Sequence, residues 1–542
     1  MPTWPSSVPF TCDINSLKEA DLDVTARFKP DWGIEKLRPR SSSYIQTLSY
    51  TKVLTLAQWD NLLTFYRFDC KNGTQTFTST HPRKGTAMTA QFSGIPEMQT
   101  LDSALVVRAA ISLTLLPQVP DPSWTPTIGG VQPIWFADFT TEGGADPHYL
   151  YRGSASASFS AWLAQLGLTF SRALAAYRTN SIGLLESIGS GVPRFDYDPV
   201  TLLPLGLLTE GSSQNTQLQS SAYGNAAWTL NGVTRTSGQS DPFGGTAAFL
   251  LTGSSGAFEL NNTGNSSVST GDNTVSWLIK PGTETAVLLS SSNIPGIFAC
   301  SVTYNPATLA FSSPSSVTNT EARVISSNGW QLVQYTFTST GNQTNITNKI
   351  AVSGAGKTVS VAGTQMEAQG RATSYIQTTT VAVTRPADAT TAASIAAWYN
   401  SAASTFYGQA DHGIISAGRI LNINDGTQNN DIELCAPTTA GQLARIGSGG
   451  STVFNAQTSD SGQSVYSLRV SAKAAVSAMA NNFNYDKNGG TVDTDLSGAM
   501  PVSPTALEIG QLLNGSNLYG HIAQLGYWQV AATAAQLQAL TT

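Results

Sequence analysis

Three carboxylates in the last quarter of the chain are the most concentrated candidates for metal or acid–base chemistry. Asp486, Asp493 and Asp495 lie in one short stretch rich in Asn and Gly. Carboxylate oxygens are the ligands that Ca²⁺ prefers, and two carboxylates with separated pKa values could hydrolyse a glycosidic bond. Asp and Gly are equally the residues that tight turns require. Because no neighbouring residue indicates a raised pKa, we favour a solvated hairpin and predict no metal, no cofactor and no catalytic residue.

The histidines do not indicate hydrolytic machinery. His81, His148, His412 and His521 are scattered, and neither a Gly-x-Ser-x-Gly elbow nor a His-Glu-x-x-His motif accompanies them. Asp411 precedes His412, but neighbouring strand residues face opposite sides of a sheet, so an edge loop is favoured over a catalytic dyad. We predict that the protein is not an enzyme.

Aromatic rings and side-chain amides offer a different chemistry, which is the binding of glycans. Most of the prominent aromatics lie in apolar strand runs, so core packing is favoured for at least four of these six: Tyr223, Trp228, Trp277, Trp330, Trp398 and Trp528. Tyr485 and Tyr519 lie among Asn and Gly, where we expect exposed loops. Together with Asn517 they are the predicted glycan contacts.

The composition limits the class of protein. A chain of 542 residues is long enough for two to four domains. Only 11% of its residues are charged, against about 25% in an average soluble protein, which suits the neutral turns of all-β adhesins and viral fibres. The net charge of −6 argues against nucleic acid binding.

The first residues lack a signal peptide, and the apolar stretch 103–116 is too short to span a bilayer, so we expect synthesis in a cytoplasm and no membrane insertion.

The cysteines lie far apart and show no metal-ligand spacing, which favours buried free thiols. They are Cys12, Cys70, Cys300 and Cys435. A disulfide between Cys12 and Cys70 is the alternative, and it would require an oxidising environment.

Periodicity predicts a β-rich first domain with one helix. Residues 87–92 and 105–115 alternate as strands do. Residues 55–66 place apolar side chains at helical spacing behind Thr55, a capping residue. Residues 81–85 hold the densest basic patch, for which a solvated hairpin tip is favoured over contact with an acidic partner. Prolines in residues 116–126 exclude both helix and central strand and predict a linker.

The pattern of the residues after the proline-rich segment predicts further β structure. Residues 158–177 fit either an amphipathic helix or two short strands broken at Gly167, and we favour the strands. From about residue 206, short apolar runs alternate with turn residues, which predicts two tandem sandwiches and a terminal helix at 533–540. We find neither a repeat of 20 to 50 residues nor the heptads of a coiled coil.

These segments include motifs that resemble a known family. Residues 170–172, 191–199, 205–211 and Asn215 resemble the start of the carbohydrate-binding-module-like jelly rolls in phage tail and head fibre proteins. Residues 365–370, 372–379 and 384–388 resemble the end of the same module. The last 150 residues or so resemble a concanavalin A-like (laminin G-type) sandwich. Residues 1 to about 118 are similar to small tail or connector-attachment proteins of phages.

The resemblance implies an all-β, multi-domain virion protein. We predict a docking domain at 1–118, a proline-rich linker with pre-module strands at 119–205, a jelly roll at 206–388 and a concanavalin A-like sandwich at 389–542. The expected function is that of a tail fibre or adhesin-like appendage of a bacteriophage. Residues 1–118 would dock on tail or head–tail junction proteins, and the sandwiches would contact host surface polysaccharide as a homo-oligomer, with a trimer favoured. A purely structural connector and a capsule-degrading spike are the alternatives.

Overall fold

The computed structural model confirms an all-β protein and divides the chain into two compact units, Met1–Asp121 and Pro122–Thr542. Strands make up most of the regular structure of both units. The structure describes residues 2–13, 16–21, 25–28, 36–39, 46–82, 87–103, 106–115, 125–142, 147–392, 394–411, 418–435, 441–458, 472–513 and 517–542.

In its described residues, the first unit is an antiparallel sheet with one α-helix. The order of the main sheet is β1-β4-β8-β6-β5, and β7 also pairs with β8. Its strands are β1 (Lys18–Asp21), β4 (Gln46–Thr55), β5 (Phe77–Thr80), β6 (Ala87–Phe92), β7 (Glu97–Ser103) and β8 (Val106–Leu115). A second pair joins β2 (Thr25–Phe28) to β3 (Lys36–Pro39). The predicted strands at 87–92 and 105–115 are thus confirmed.

The predicted helix of this unit is confirmed as α1 (Leu56–Thr64), which continues as a π-helical segment, Phe65–Asp69. Thr55 accepts a hydrogen bond from the Gln58 amide, and the Gln58 side chain accepts one from the Thr55 amide. Such a reciprocal cap is worth about 1 kcal/mol. His81 is buried, with Nε2 3.4 Å from Glu19 Oε1, while residues 83–86 of the basic patch lie outside the described residues.

The middle of the second unit is a jelly roll of two facing six-stranded sheets. One sheet has the order β18 (Trp228–Asn231), β21 (Glu259–Val268), β28 (Gln343–Ala351), β23 (Val287–Ile294), β24 (Phe298–Asn305) and β25 (Ala310–Ser315). The other has the order β19 (Val233–Gln239), β20 (Ala248–Gly253), β29 (Thr358–Glu367), β22 (Gly271–Pro281), β27 (Gln331–Ser339) and β26 (Asn319–Val324). The six aromatics singled out in the sequence are all buried, as predicted for most of them. Four lie in the jelly roll, and Trp398 and Trp528 lie elsewhere in the second unit.

The rest of the second unit is a larger sandwich whose strands come from both sides of the jelly roll in the sequence. Its ten-stranded sheet contains β9 (Trp135–Asp138), β10 (Tyr149–Tyr151), β11 (Ser154–Ser156), β15 (Arg194–Tyr197), β16 (Pro204–Thr209), β32 (Ala403–Ala410), β37 (Ala472–Met479), β38 (Asn482–Lys487), β39 (Asp493–Asp495) and β41 (Gly520–Trp528). Its seven-stranded sheet contains β12 (Leu168–Ser171), β31 (Ala389–Ala392), β33 (Arg419–Asn424), β34 (Asp431–Cys435), β35 (Gly441–Ser448), β36 (Ser451–Thr458) and β40 (Ala506–Ile509).

The jelly roll is therefore inserted into the sandwich rather than placed before it. Strand β41 pairs with β9 and β16, and β12 pairs with β31, so strands that precede the jelly roll complete the sheets that follow it. This arrangement differs from the four consecutive segments predicted, in which residues 119–205 are a linker with pre-module strands. Residues 116–124 of the linker lie outside the described residues.

The preference for strands over residues 158–177 is wrong for the first half of that segment. Residues Phe159–Leu166 form α2, which Ser158 caps and which Gly167 ends with φ +71°. The helix forms because Phe159, Trp162, Leu163 and Leu166 fall on one buried face. Strands follow only from Leu168, namely β12, then β13 (Ala176–Thr179), which pairs with β14 (Leu185–Ile188).

Several smaller features complete the fold. A short strand pair joins β17 (Ser213–Asn215) to β30 (Val383–Arg385), where the chain enters and leaves the jelly roll. The predicted terminal helix is confirmed as α3 (Ala534–Thr541). All four cysteines are free thiols, and Cys70, Cys300 and Cys435 are buried as predicted, whereas Cys12 is half-buried. Within the described ranges, no helix has the length and apolar character needed to cross a membrane.

The outer face of the seven-stranded sheet carries a buried carboxyl pair. Ile432 and Leu434 of β34 point into the core, so strand alternation turns Asp431 and Glu433 outward. Burial, followed by the adjacent Glu433 carboxylate, raises the pKa of Asp431 to about 8. Burial alone would raise the pKa of Glu433 too, but the hydrogen bond from Asp431 and the charge of Arg419 lower it. Arg445 Nη1 pairs with Asp431 and lies 3.5 Å from Glu433 Oε1, and its charge opposes the rise in the pKa of Asp431 without cancelling it.

This pair makes stability depend on pH. An unfolded Asp ionises near pH 4, so between about pH 4 and about pH 8 the folded chain holds a proton that the unfolded chain has released, and stability falls as pH rises. We expect the stability of Asp431→Asn to fall less than that of the wild type between about pH 4 and about pH 8, because an amide cannot ionise. Urea midpoints measured across this range check it, with Asp60→Asn on the exposed face of α1 as the control. Parallel profiles for the wild type and Asp431→Asn would contradict the assignment.

Candidate ligand-binding cleft

A buried network of charges fixes the two points where the chain crosses between sandwich and jelly roll. Asp388, just before β31, accepts from Arg172 Nη1 at 2.9 Å and also pairs with Arg194 Nη2. Glu210, just after β16, lies 2.9 Å from Arg194 Nη1 and 3.5 Å from Arg385 Nη2. All five side chains are at most 6% exposed. The incoming and outgoing segments are therefore joined by ion pairs that water does not screen.

Hydrogen bonds from two backbone amides connect the same two segments directly. The Asp388 amide donates to the Glu210 carbonyl at 2.9 Å, and the Glu210 amide donates to Asp388 Oδ2 at 3.0 Å. Burial alone would raise the pKa of Glu210, but Arg385 and Arg194 hold it well below its usual range. Both carboxylates are thus satisfied by hydrogen bonds and by charge, as buried ions must be.

The network also holds one loop of the jelly roll against the sandwich. Arg194 Nη1 donates to Ser374 Oγ at 2.8 Å, and the Ser374 amide donates to Glu210 Oε1 at 2.8 Å. This loop forms one wall of a cavity of about 490 Å³ between the two domains. We call this cavity the cleft. The β13–β14 hairpin, the residues around β15 and the jelly-roll edge strand β26 form its other walls.

A histidine between two aspartates lies beside the cleft. His521 of β41 places Nε2 2.9 Å from Asp196 Oδ2 and Nδ1 3.1 Å from both carboxylate oxygens of Asp411. Asp196 is fixed further by the Thr179 amide, which donates to its Oδ1 at 2.5 Å. His521 is 1% exposed, whereas both aspartates line the cleft. They present carboxylate oxygens at fixed positions.

The opposite wall carries a second fixed charge group. Glu321 of β26 accepts from Arg323 at 2.7 Å and from Arg371 at 2.5 Å through Oε1, and from Gln334 at 3.1 Å through Oε2. Burial alone would raise the pKa of Glu321, but the two guanidinium groups lower it. All of these except Gln334 line the cleft. The wall therefore offers N–H donors next to carboxylate acceptors.

Aromatic rings complete the lining. Tyr177 and Tyr197 are half-buried and Tyr375 is buried. The ring of Tyr177 lies 5.7 Å from that of Tyr375 and 5.1 Å from that of Phe243, which fixes its orientation. Burial raises the pKa of Tyr177, so its hydroxyl keeps the proton and can donate. Flat apolar surface therefore lies beside charged donors and acceptors.

The residues predicted to contact glycan do not form a common exposed surface. Tyr485 lies in β38 and is 2% exposed within the sandwich core, and Asn517 is 4% exposed. Tyr519 is half-buried, and its hydroxyl lies so close to Gly211 that a Cβ there would meet it at 2.1 Å. The prediction assumed that flanking Asn and Gly place these side chains in solvent, whereas Tyr485 lies inside β38 and Asn517 and Tyr519 lie just before β41. Glycan contact by these residues stays a prediction.

The other candidate residues are placed as follows. Asp486 is buried and accepts a hydrogen bond from Thr541, whereas Asp495 accepts from the Ser497 amide and hydroxyl in an exposed turn. Among the described residues, no group of three His, Cys, Asp or Glu side chains could hold a metal ion. Asp411 contacts His521, and its sequence neighbour His412 lies outside the described residues.

Comparisons with known proteins yielded structural matches. No family model matches the chain, and no curated protein does. A Ruminococcus gnavus IT-sialidase CBM40 bound to alpha2,6 sialyllactose is 18% identical, with 27% of this chain and 87% of that chain covered and a TM-score of 0.24. Domains LG4-5 of the mouse laminin alpha1 chain are 11% identical, with coverages of 61% and 91% and a TM-score of 0.21. A Trypanosoma rangeli sialidase in complex with the inhibitor DANA is 8% identical, with coverages of 98% and 93% and a TM-score of 0.21.

These matches correct one prediction made from the sequence. The matching structures include a second T. rangeli sialidase complex and a GH43 protein from Bacillus licheniformis, so the prediction that the protein is not an enzyme does not stand. They also include a carbohydrate-binding module and laminin G domains, the two types of domain that the resemblance named. Because every TM-score quoted lies far below 0.5, neither ligand nor activity is transferred to this chain.

The buried network predicts a large loss of stability when its central cation is removed. Arg194→Met keeps the length of the side chain but leaves Asp388 and Glu210 short of positive charge, at an expected cost of about 3–5 kcal/mol. Guanidinium unfolding followed by tryptophan fluorescence measures it. Lys349→Met is the matched control, since Lys349 pairs with Glu259 at 3.5 Å near the surface and should cost less than about 1 kcal/mol. Equal effects of the two substitutions would contradict the network's role.

Proposed function

We propose that the protein is a glycan-binding appendage of a tailed phage particle and that the cleft holds the saccharide. The observation that carries this proposal is the lining of the cleft, in which half-buried tyrosines stand beside carboxylate and guanidinium groups fixed by hydrogen bonds. Its volume of about 490 Å³ lies within the range of small-ligand sites.

The chemistry of the lining suits a sugar. A sugar ring presents hydroxyl groups, which both donate and accept hydrogen bonds, and apolar C–H faces, which pack on aromatic rings. Asp196 and Asp411 can accept from hydroxyls, Arg371 can donate to them, and Tyr177 and Tyr197 offer ring faces. Since ion pairs and hydrogen bonds already fix these charged groups, binding costs little side-chain entropy.

The separate first unit supports attachment to a particle. It has a hydrophobic core of its own, and the phage resemblance of residues 1 to about 118 falls within it. In this proposal the first unit docks on tail or head–tail junction proteins. The second unit reaches host surface polysaccharide, and a trimer gains avidity for repeated sugars.

The cleft predicts a specific loss of glycan binding. Val200 lines the cleft and is 69% exposed, so Val200→Trp should obstruct it without disturbing the core. We expect the wild type to bind fragments on an array of bacterial surface polysaccharides and Val200→Trp to bind the best of them at least about tenfold more weakly, a difference of about 1.4 kcal/mol. Titration calorimetry measures the affinity.

Val381→Trp is the matched control, since Val381 is 63% exposed and is not part of the cleft lining. This variant should bind as the wild type does. The cleft assignment fails if Val200→Trp keeps full affinity, and glycan binding itself fails if the wild type binds no fragment on the array.

The first unit predicts independent docking. Particles that lack the protein should incorporate purified fragment 1–121 but not fragment 122–542, because only the first contains the proposed docking surface. Immunoblotting of sedimented particles reads this out, with the full chain as the positive control. Incorporation of 122–542 instead, or of neither fragment while the full chain is incorporated, would contradict docking by the first unit alone.

A further inference from the structure

A second cavity lies next to the cleft and is unassigned by the proposal above. Its volume is about 630 Å³, and residues of α2, of the chain around Phe170 and of the turn at residues 191–193 line it. Phe170 and Phe195 offer ring surface, while Glu142 and Ser160 offer polar groups. This second cavity thus combines aromatic surface with hydrogen-bonding groups, as the cleft does.

The two cavities share one wall. Arg178 and Tyr197 line both of them. Strand alternation explains the arrangement, since Phe195 of β15 points to the second cavity and the next residue, Asp196, points to the cleft. The shared residues therefore form a ridge with a binding surface on each side.

The ridge is held in place by the Arg178 side chain. Its Nε and Nη2 donate to Glu186 Oε2 at 3.3 Å and 3.1 Å, and its Nη1 donates to the Phe195 carbonyl at 2.8 Å. Three bonds from one guanidinium group fix both its plane and its position. A ligand can therefore cross a ridge that is already shaped before binding.

We infer that a single extended saccharide occupies both cavities and crosses the ridge of Arg178 and Tyr197. The inference rests on the proposed function and names its ligand class, which is a polysaccharide chain rather than a single sugar. Each cavity is large enough to hold a small ligand alone. A chain that fills the cleft brings its next units to the second cavity at a high effective concentration, so affinity should rise steeply with chain length.

The test uses oligosaccharides of defined length, from a monosaccharide to a decasaccharide, prepared from the polysaccharide that binds best on the array. For the full-length wild type we expect affinity to rise by about a hundredfold once the chain spans both cavities. Val192 lines the second cavity and is 50% exposed, so Val192→Trp should abolish this gain and leave the affinity for short oligosaccharides unchanged. Val200→Trp should weaken both.

The outcomes separate the two proposals. If short oligosaccharides bind but affinity does not grow with length, the cleft stands and the extended ligand is wrong. The same conclusion follows if Val192→Trp keeps the full gain. If no oligosaccharide binds, the proposed function fails and the inference fails with it. Circular dichroism checks folding, and Ser160→Tyr, on the exposed side of α2, replaces Val192→Trp if that variant does not fold.

Discussion

The carboxylate of Asp388 receives two guanidinium groups, from Arg172 and Arg194, and sits where the chain leaves the jelly roll. Glu210 occupies the matching place where the chain enters it, and Arg194 joins the two carboxylates. Burying five charged side chains costs a large desolvation free energy. The folded state is stable only if nearly all of their ion pairs and hydrogen bonds form. That requirement fixes the two crossings relative to each other.

The position of the jelly roll on the sandwich follows from this constraint, and the cleft follows from the position. Ser374, which Arg194 and Glu210 bind, belongs to a jelly-roll loop that lines the cleft, while Asp196 and Asp411 come from the sandwich. Neither domain alone supplies both walls. The proposed saccharide site is thus a property of the insertion, and its shape is set before any ligand arrives.

Local patterns predicted the elements and not their partners. Thr55 with Gln58 marks the start of α1, and alternation marks β8, because caps and alternation depend on near neighbours. The pairing of β9 with β41 joins residues such as Ala137 and Leu525, and no local pattern carries that information. Asp411 stands next to His412 in the sequence, and no local pattern indicates its contact with His521, which lies more than a hundred residues away. The sequence does carry one signal of the buried charge network. Only 11% of the residues are charged, yet Arg172, Arg194 and Asp388 all lie within the motifs that resemble the phage family.

The buried ion pairs should make the two crossings rigid. Hydrogen exchange on the intact chain, followed by mass spectrometry of peptides, tests it without any substitution. Peptides that cover residues 205–216 and 383–392 should keep their amide hydrogens as long as those from the central strand β41. Exchange at these crossings that is faster by orders of magnitude, while β41 stays protected, would show a hinge and contradict a cleft shaped by the network.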